Sequence, residues 1–364
     1  MHYKNFLIIS LAGLGDFINA TSAMSLIKKE QPDSFIAVIT YGTYKQYANN
    51  NPVINKYISY RPLKDFNNKT LFRIWQLLWL TKNFFSLLKI KYDICIFLDN
   101  STAFFIFLAK ILAIKNIVCP KFDRHGNGVE IKLSNKINLP IDLPRNSDKL
   151  NISQRYQTIV KTILNTCNMT NKTVLPSSKI NLEKFIKETK QQRIKIGISF
   201  RGGQKNFLPN NKIIEVIKLL NHYINASFYL LGTQDSFTDA EKIIKAVSQI
   251  NIKNLCGKTS LLEIKAILTN INLLLTVDGG IMHMAANAQT KIVALFGAAF
   301  PEHAFPLTNK AIALCAYSQC CPCCSKFSVN NKPFVCTNPV NYKCLIDIPN
   351  LDIVNASLKL LERK

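Results

Sequence analysis

An apolar run, Leu273-Leu-Leu-Thr-Val277, ends at Asp278; two glycines and a small-residue segment follow, and a second run, Lys291-Ile-Val-Ala-Leu-Phe296, closes at Gly297. That order predicts strand, tight turn, helix and strand. Strands joined through a helix lie parallel, and a parallel sheet carries its ligands beyond the carboxyl ends of its strands. Asp278, Gly279 and Gly280 fall at that edge. The glycines let the backbone approach a ligand closely, and the new helix turns unpaired N–H groups toward it. Such a turn suits a phosphate or diphosphate, and Asp278 beside it suits a sugar hydroxyl.

The same alternation runs through the whole chain. Strands are expected at Lys4–Ser10, Ser34–Tyr41, Tyr57–Tyr60, Asp93–Leu98 and Asn116–Cys119. Helices are expected at Asp16–Glu30, near Tyr44, at about Thr70–Ile90 and at Thr102–Ala113, with Ile152–Cys167 closing the first half. Lys121–Lys149, rich in Gly, Asn, Asp and Pro, reads as loop or irregular hairpin. After a polar stretch containing Pro176 the pattern restarts, with strands at Lys195–Phe200, Ser227–Leu231, Asn254–Cys256, Ile271–Val277 and Lys291–Phe296. Its helices are Asn210–His222, Thr238–Ser248, Ser260–Thr269 and Leu351–Leu361. Ser260 with Glu263 three residues on is a capping box. The expected architecture is α/β, two Rossmann-like doubly wound domains with an interdomain cleft. Its boundaries are 1–170, a linker 171–193, and 194–364 carrying a Cys-rich segment 315–344.

Forty-six Lys and Arg against twenty-two Asp and Glu give a formal charge of +24. Anionic partners follow from that excess: nucleotide diphosphates, anionic lipid surfaces or nucleic acid. The dominance of Lys, Asn and Ile is also what an AT-rich genome produces. No dense basic or basic-aromatic run favours nucleic acid, so none is expected. The two most apolar stretches, Leu71–Ile90 and Ile94–Ile114, are each interrupted by charge and read as amphipathic helix or buried strand rather than membrane spans. With no secretory signal evident, the expected location is cytoplasmic, with the Lys-studded aromatic helix able to rest on an anionic inner leaflet.

Leu11-Ala-Gly-Leu-Gly-Asp-Phe-Ile18 opens the first helix. Gly13 and Gly15 permit a tight turn, but Ile18 occupies the third glycine position of a dinucleotide fingerprint. Asp16 has two readings, helix N-cap or general base at a strand's carboxyl end. Gly257-Lys-Thr-Ser260 ends like a P-loop, yet Ile252 stands where the first glycine belongs. Phe200-Arg-Gly-Gly-Gln-Lys205 joins strand to helix, and its glycines with Arg201 and Lys205 fit a diphosphate clamp or an ordinary basic loop. His283, one turn into the helix after Asp278, is a ligand contact or a structural imidazole. Of eleven cysteines, Cys320, Cys321, Cys323, Cys324, Cys336 and Cys344 form a cluster open to three readings: a tetrahedral metal site, disulfides or reduced thiols. Cys315 opens the same group of seven, and the other four, Cys95, Cys119, Cys167 and Cys256, read as buried small hydrophobes.

In combination these motifs resemble glycosyltransferase family 9, the ADP-heptose:lipopolysaccharide heptosyltransferases. The N-terminal signature is Leu11-Ala-Gly-Leu-Gly-Asp16; the C-terminal one comprises Leu255-Cys-Gly-Lys-Thr-Ser-Leu261, Val277–Ala286 and Ala294-Leu-Phe-Gly297. The resemblance implies a GT-B fold and inverting, metal-independent sugar transfer from a nucleotide diphosphate, with no cofactor. It implies an acceptor-binding N-terminal domain and a donor-binding C-terminal domain. Asp16 aligns with the general base, Asp278 with the acid contacting the donor sugar, and Gly279–His283 with the diphosphate turn. Arg201 and Lys205 fall in the phosphate-neutralising loop. That loop commonly reads Lys, one residue, Trp-Pro; Lys205-Asn-Phe-Leu-Pro209 is one residue longer. Gly279 replaces a usual Ser or Thr. The implied partners are a nucleotide-diphosphate sugar, most simply ADP-heptose, and an anionic lipid-linked glycan acceptor of the lipopolysaccharide core; the basic aromatic helix adds an expected peripheral contact to the inner membrane. The alternatives are transfer of another nucleotide sugar to a surface glycan and a non-catalytic binding protein; retention of both Asp16 and Asp278 argues against the latter.

Overall fold

The unbroken apolar runs become parallel strands buried on both faces. A computed structural model describes residues 3–60, 69–99, 103–120, 139–141, 150–170, 172–176, 180–186, 193–202, 206–316, 318, 320, 336 and 338–362. The chain divides into two units, Met1–Pro176 and Ser177–Lys364.

The first unit runs β1 (Asn5–Ser10), α1 (Leu14–Glu30), β2 (Phe35–Tyr41), α2 (Lys45–Asn49), β3 (Lys56–Tyr60), α3 (Lys69–Leu88), β4 (Ile94–Phe97), α4 (Ala103–Ile111), β5 (Asn116–Pro120), β6 (Leu139–Ile141) and α5 (Ile152–Leu164). Its strands are all parallel, in the order β3-β2-β1-β4-β5-β6. Phe6 to Ile8 and all of β4 are fully buried, so no alternation of polar and apolar residues appears in them. Lys28 and Lys29 in the last turn of α1 face its negative dipole end, with Asp16 in the first turn. α5 starts at a reciprocal cap: Ser153 N–H donates to Asn151 Oδ1 (3.0 Å) and Asn151 N–H to Gln154 Oε1 (3.3 Å). It stops at Asn165, whose φ of 50° is left-handed and suits asparagine.

One strand lies inside the stretch expected to be loop. β6 pairs with β5 through Pro140, opposite Cys119. A proline is tolerated there because β6 is the outermost strand. Most of Lys121–Lys149 lies outside the described residues.

The second unit runs β7 (Ile194–Ser199), β8 (Arg201–Gly202), β9 (Asn206–Phe207), α6 (Asn210–Tyr223), β10 (Ala226–Leu230), α7 (Phe237–Ala246), β11 (Ile252–Asn254), α8 (Leu261–Thr269), β12 (Leu273–Val277), α9 (Gly280–Asn287), β13 (Lys291–Phe296), α10 (Pro301–Ala304), β14 (Ala311–Cys315), α11 (Lys343–Ile346) and α12 (Asn350–Glu362). Its six-stranded sheet has the order β11-β10-β7-β12-β13-β14, again all parallel, and β8–β9 is a short antiparallel hairpin. β14 was not expected from the sequence, although Ala311-Ile-Ala-Leu-Cys315 is an apolar run; at the edge of the sheet its five residues are only half-buried. The Ser260 cap is present, with Glu263 N–H donating to Ser260 Oγ (3.3 Å) and Ser260 N–H to Glu263 Oε2 (2.8 Å).

Within each unit the strand order is third, second, first, fourth, fifth, sixth. Connections leave in opposite directions from the first and fourth strands, so a crevice opens at their carboxyl ends. The two switch points are β1/β4 and β7/β12.

Candidate active site

At the second switch point, Ser199 of β7 pairs with Thr276 of β12, so the chain segments just beyond them are neighbours. The β8–β9 hairpin leaves β7 and lies on the Asp278–Gly279 turn. A Cβ on Gly202 would stand 1.9 Å from the Asp278 carbonyl oxygen, and one on Gly279 would stand 3.0 Å from Gly202 Cα. Both glycines are therefore set by close backbone contact. Gly279 itself is fully extended, with φ 172° and ψ 179°.

Asn206, buried in the hairpin, locks this contact. Its Nδ2 donates to the Asp278 carbonyl at 3.0 Å and reaches the Asp278 carboxylate at 3.4 Å. α9 then begins at Gly280, two residues beyond Asp278, so its first N–H groups start at this turn. His283 is 5% exposed, between the buried Met282 and Met284, and forms part of the helix's packed face.

Arg201 is braced. Its Nη2 donates to Asp239 Oδ2 at 3.2 Å, and its guanidinium carbon lies 4.5 Å from the centre of the Phe207 ring. Asp239 also accepts from Asn210 Nδ2 at 3.1 Å. The structure thus holds the guanidinium rigidly at the base of the hairpin, with its charge shared with a carboxylate. Lys205 lies outside the described residues. The P-loop-like Gly257 adopts a left-handed φ of 71°, where a Cβ would meet the Gln234 side chain at 2.1 Å. It is a turn glycine leading to the α8 cap.

At the first switch point, Asp16 stands in the first turn of α1. Its Oδ2 accepts the Gly13 N–H at 3.1 Å. The cap contact and a position in the first turn after β1, at the carboxyl edge of the sheet, coexist in one carboxylate. Tyr44 faces it: its hydroxyl donates to the Ala12 carbonyl at 3.2 Å, and its ring stacks on Phe17 at 5.5 Å. Burial, then the negative charge of Asp16, then Tyr41, push the Tyr44 phenol up to about 12.

A second carboxylate shares this edge. The Leu98 N–H donates to Ile9 O at 3.2 Å, which sets Asp99 just past the paired ends of β4 and β1. Tyr156 donates its hydroxyl to Asp99 Oδ1. Burial and then the charge of Asp99 raise the Tyr41 phenol above its ordinary value.

Sequence reasoning missed Asp99, Asn206 and Asp239. Asp99 had a usable signal, since an apolar run ending in Asp recurs at Ile94–Asp99 and at Leu273–Asp278. Asn206 and Asp239 had none; a lone Asn in a loop and an acid in a helix's first turn are commonplace.

The cysteine cluster is partly visible. Cys320 Sγ lies 3.4 Å from both Ser318 Oγ and Asn338 Nδ2, and these contacts hold its thiol below the usual range. Cys336 Sγ accepts the Tyr342 N–H at 3.5 Å, and Cys344 is buried in α11. Among the described residues there is no disulfide and no group of three metal-ligating side chains. Cys321, Cys323 and Cys324 lie outside them. Cys95, Cys119 and Cys256 are buried as expected, but Cys167 is exposed, because α5 stops at Leu164 and leaves it beyond the packed helix.

Residues 86–333, well over half of the chain, match the family model described as glycosyltransferase family 9 (heptosyltransferase). A 58-residue stretch is 40% identical to lipooligosaccharide heptosyltransferase 2 of Haemophilus influenzae, covering 16% of this chain and 17% of that enzyme. The structure of ADP-heptose LPS heptosyltransferase II of E. coli superposes with a TM-score of 0.72 at 19% identity, over 98% of each chain. A family 9 glycosyltransferase from Veillonella parvula gives a TM-score of 0.76 at 20% identity, over 100% of this chain and 98% of that one. The fold is thus GT-B-like, and by the family match the chain belongs to glycosyltransferase family 9, the heptosyltransferase family.

Proposed function

We propose that the chain is an inverting glycosyltransferase that moves a heptose from ADP-heptose onto the lipopolysaccharide core, with an anionic lipid-linked glycan as acceptor. The C-terminal unit takes the donor, and the N-terminal unit takes the acceptor at the cytoplasmic face of the membrane. The observation that carries this reading is the turn at the second switch point. There a backbone hairpin, a helix N-terminus and the Asp278 carboxylate converge at the carboxyl edge of a parallel sheet.

In the proposed reaction an acceptor hydroxyl oxygen attacks the anomeric carbon as the bond to the diphosphate breaks. Asp16 accepts the hydroxyl proton, and the nucleoside diphosphate leaves with the bonding electron pair. One displacement inverts the anomeric centre. N–H groups at the start of α9, with Arg201 and Lys205, stabilise the charge that develops on the leaving group, in place of a metal ion. Asp278 accepts hydrogen bonds from sugar hydroxyls. Asp239 fixes the orientation of Arg201.

Gly279 favours a second reading, transfer of a different nucleotide sugar. It removes a hydroxyl that the family usually places beside the donor.

The test is a thermal-shift screen of nucleotide sugars, followed by incubation with a heptose-deficient core acceptor and mass analysis of the product. A ligand at a hundred times its Kd stabilises by about 2.7 kcal/mol. Stabilisation by ADP-heptose and a heptosylated product are expected. Stabilisation by another nucleotide sugar alone selects the second reading, and stabilisation by none of them removes both.

A further inference from the structure

Eight of the thirteen large apolar side chains exposed among the described residues lie on α3 and α4. On α3, Leu71, Ile74, Leu78, Phe85 and Leu88 are each 48–75% exposed. Their spacing of three, four, seven and three residues places them on one stripe of the helix. The opposite side is anchored. Trp79 is 7% exposed, donates its Nε1–H to Ser59 O at 2.6 Å and packs on Phe104 of α4 with ring centres 5.9 Å apart. α4 adds exposed Phe107 and Ile111. A helix packed on a domain normally turns polar residues outward; α3 turns out a second apolar face.

The charges around that face have one sign. Residues 66–92 contain Lys69, Arg73, Lys82, Lys89 and Lys91 and no Asp or Glu. Arg73, Lys82 and Lys89 are exposed. On the helical wheel Lys82 borders the stripe on one side and Arg73 on the other, and Lys89 follows directly on the helix's last residue, Leu88. Among the described residues no helix is long and apolar enough to cross a membrane. An apolar stripe between cationic borders is the pattern of a helix that lies in an interface plane rather than spanning it.

We propose that the α3–α4 face docks on an anionic lipid surface. Leu71, Ile74, Leu78 and Phe85 enter the boundary of the acyl region, and Arg73, Lys82 and Lys89 sit among anionic head groups. Charge complementarity selects this occupant. A second copy of the chain would set the same cations against each other, whereas a bilayer offers an apolar layer and negative head groups at the depths a lying helix needs. The proposal rests on the reading above that sets the N-terminal unit at a membrane face and names the surface that makes the contact; vesicle flotation and the nucleotide-sugar screen fail separately.

The experiment is flotation of the full chain with vesicles of phosphatidylcholine alone or mixed with phosphatidylglycerol. Binding to the mixed vesicles is expected, weakening as salt shortens the Debye length. The double variant Leu78→Ser/Phe85→Ser should bind about tenfold or more weakly, since each apolar side chain loses its burial. Arg73→Gln/Lys82→Gln should lose about fivefold per charge. Because these side chains are exposed, the thermal midpoint should be unchanged; if the apolar pair shifts it, the single variant Phe85→Ser replaces it. Absence of vesicle binding overturns the proposal. So does equal binding to neutral vesicles, or equal binding by wild type and both variants. Dimers that Leu78→Ser/Phe85→Ser dissolves, without vesicle binding, would identify a second copy as the occupant instead.

Discussion

The two units share one strand order but do different things with it. At β1/β4 the edge carries two carboxylates, Asp16 and Asp99, among the phenols of Tyr41, Tyr44 and Tyr156. At β7/β12 the edge is a backbone cradle: a hairpin pressed on a turn, a buried Asn206 fastening them, and an arginine held by its own carboxylate. The first edge is suited to handling a proton on a hydroxyl. The second is suited to holding an anion with groups that need not move. Topology places a crevice in both, and the loops decide its chemistry.

The largest expected effect tests the proton-handling edge. Asp16→Asn keeps an acceptor for the Gly13 N–H but cannot take a proton at neutral pH. Its kcat should fall by roughly 10²-fold or more. Near-normal turnover would return Asp16 to the role of helix cap.

Next comes the rigid edge. Gly202→Ala puts a methyl group onto the Asp278 carbonyl, so the hairpin must lift. We expect a loss of about 1–3 kcal/mol in stability, together with weaker nucleotide-sugar binding. An unchanged thermal midpoint would mean that hairpin and turn are not in the contact described. Lys212, in the first turn of α6 just beyond the hairpin, extends the same rigidity. Its buried Nζ donates to the carbonyls of Ile346 and Ile348 and to Asn350 Oδ1, fastening the start of α12. Lys212→Met should cost about 1–3 kcal/mol by stranding those acceptors, measured by denaturant unfolding.

The smallest effect concerns the α8 cap. Lys184, then the Ser260 N–H, hold the Glu263 carboxyl below its ordinary range. A depressed folded-state value means the contribution is present above the ordinary carboxylate range and lost as pH falls through the depressed value. Glu263→Gln should remove only about 0.5–1 kcal/mol, since the Lys184 end of the ion pair is exposed to solvent. It should also flatten the acid limb of the stability curve. An unchanged acid limb would contradict the assignment.

Much of this was legible in the residues. The inner strands and their parallel direction, though not their order in the sheet, followed from apolar runs separated by amphipathic segments, and the Ser260–Glu263 box from a local spacing. Asp278 and the Gly279–Gly280 turn were visible because punctuation after an apolar run is local. What stayed hidden is long-range. The Arg201–Asp239 pair joins residues thirty-eight positions apart, and the Asn206 bond to Asp278 spans seventy-two; neither leaves a trace in spacing. β6 and β14 were missed for other reasons. β6 is three residues around Pro140, too short for a periodic signal, whereas β14 is an apolar run, Ala311-Ile-Ala-Leu-Cys315, that the reading passed over.

Calorimetric titration of ADP-heptose and of ADP against two variants, Asp16→Asn and Asp278→Ala, tests the division of labour most directly. If the two edges work as described, Asp16→Asn binds both ligands as the unmodified chain does. Asp278→Ala then binds ADP normally and the intact sugar nucleotide far more weakly, because a carboxylate would repel phosphate but accepts from sugar hydroxyls. Equal weakening of both ligands by Asp278→Ala, or loss of donor binding in Asp16→Asn, would contradict the account.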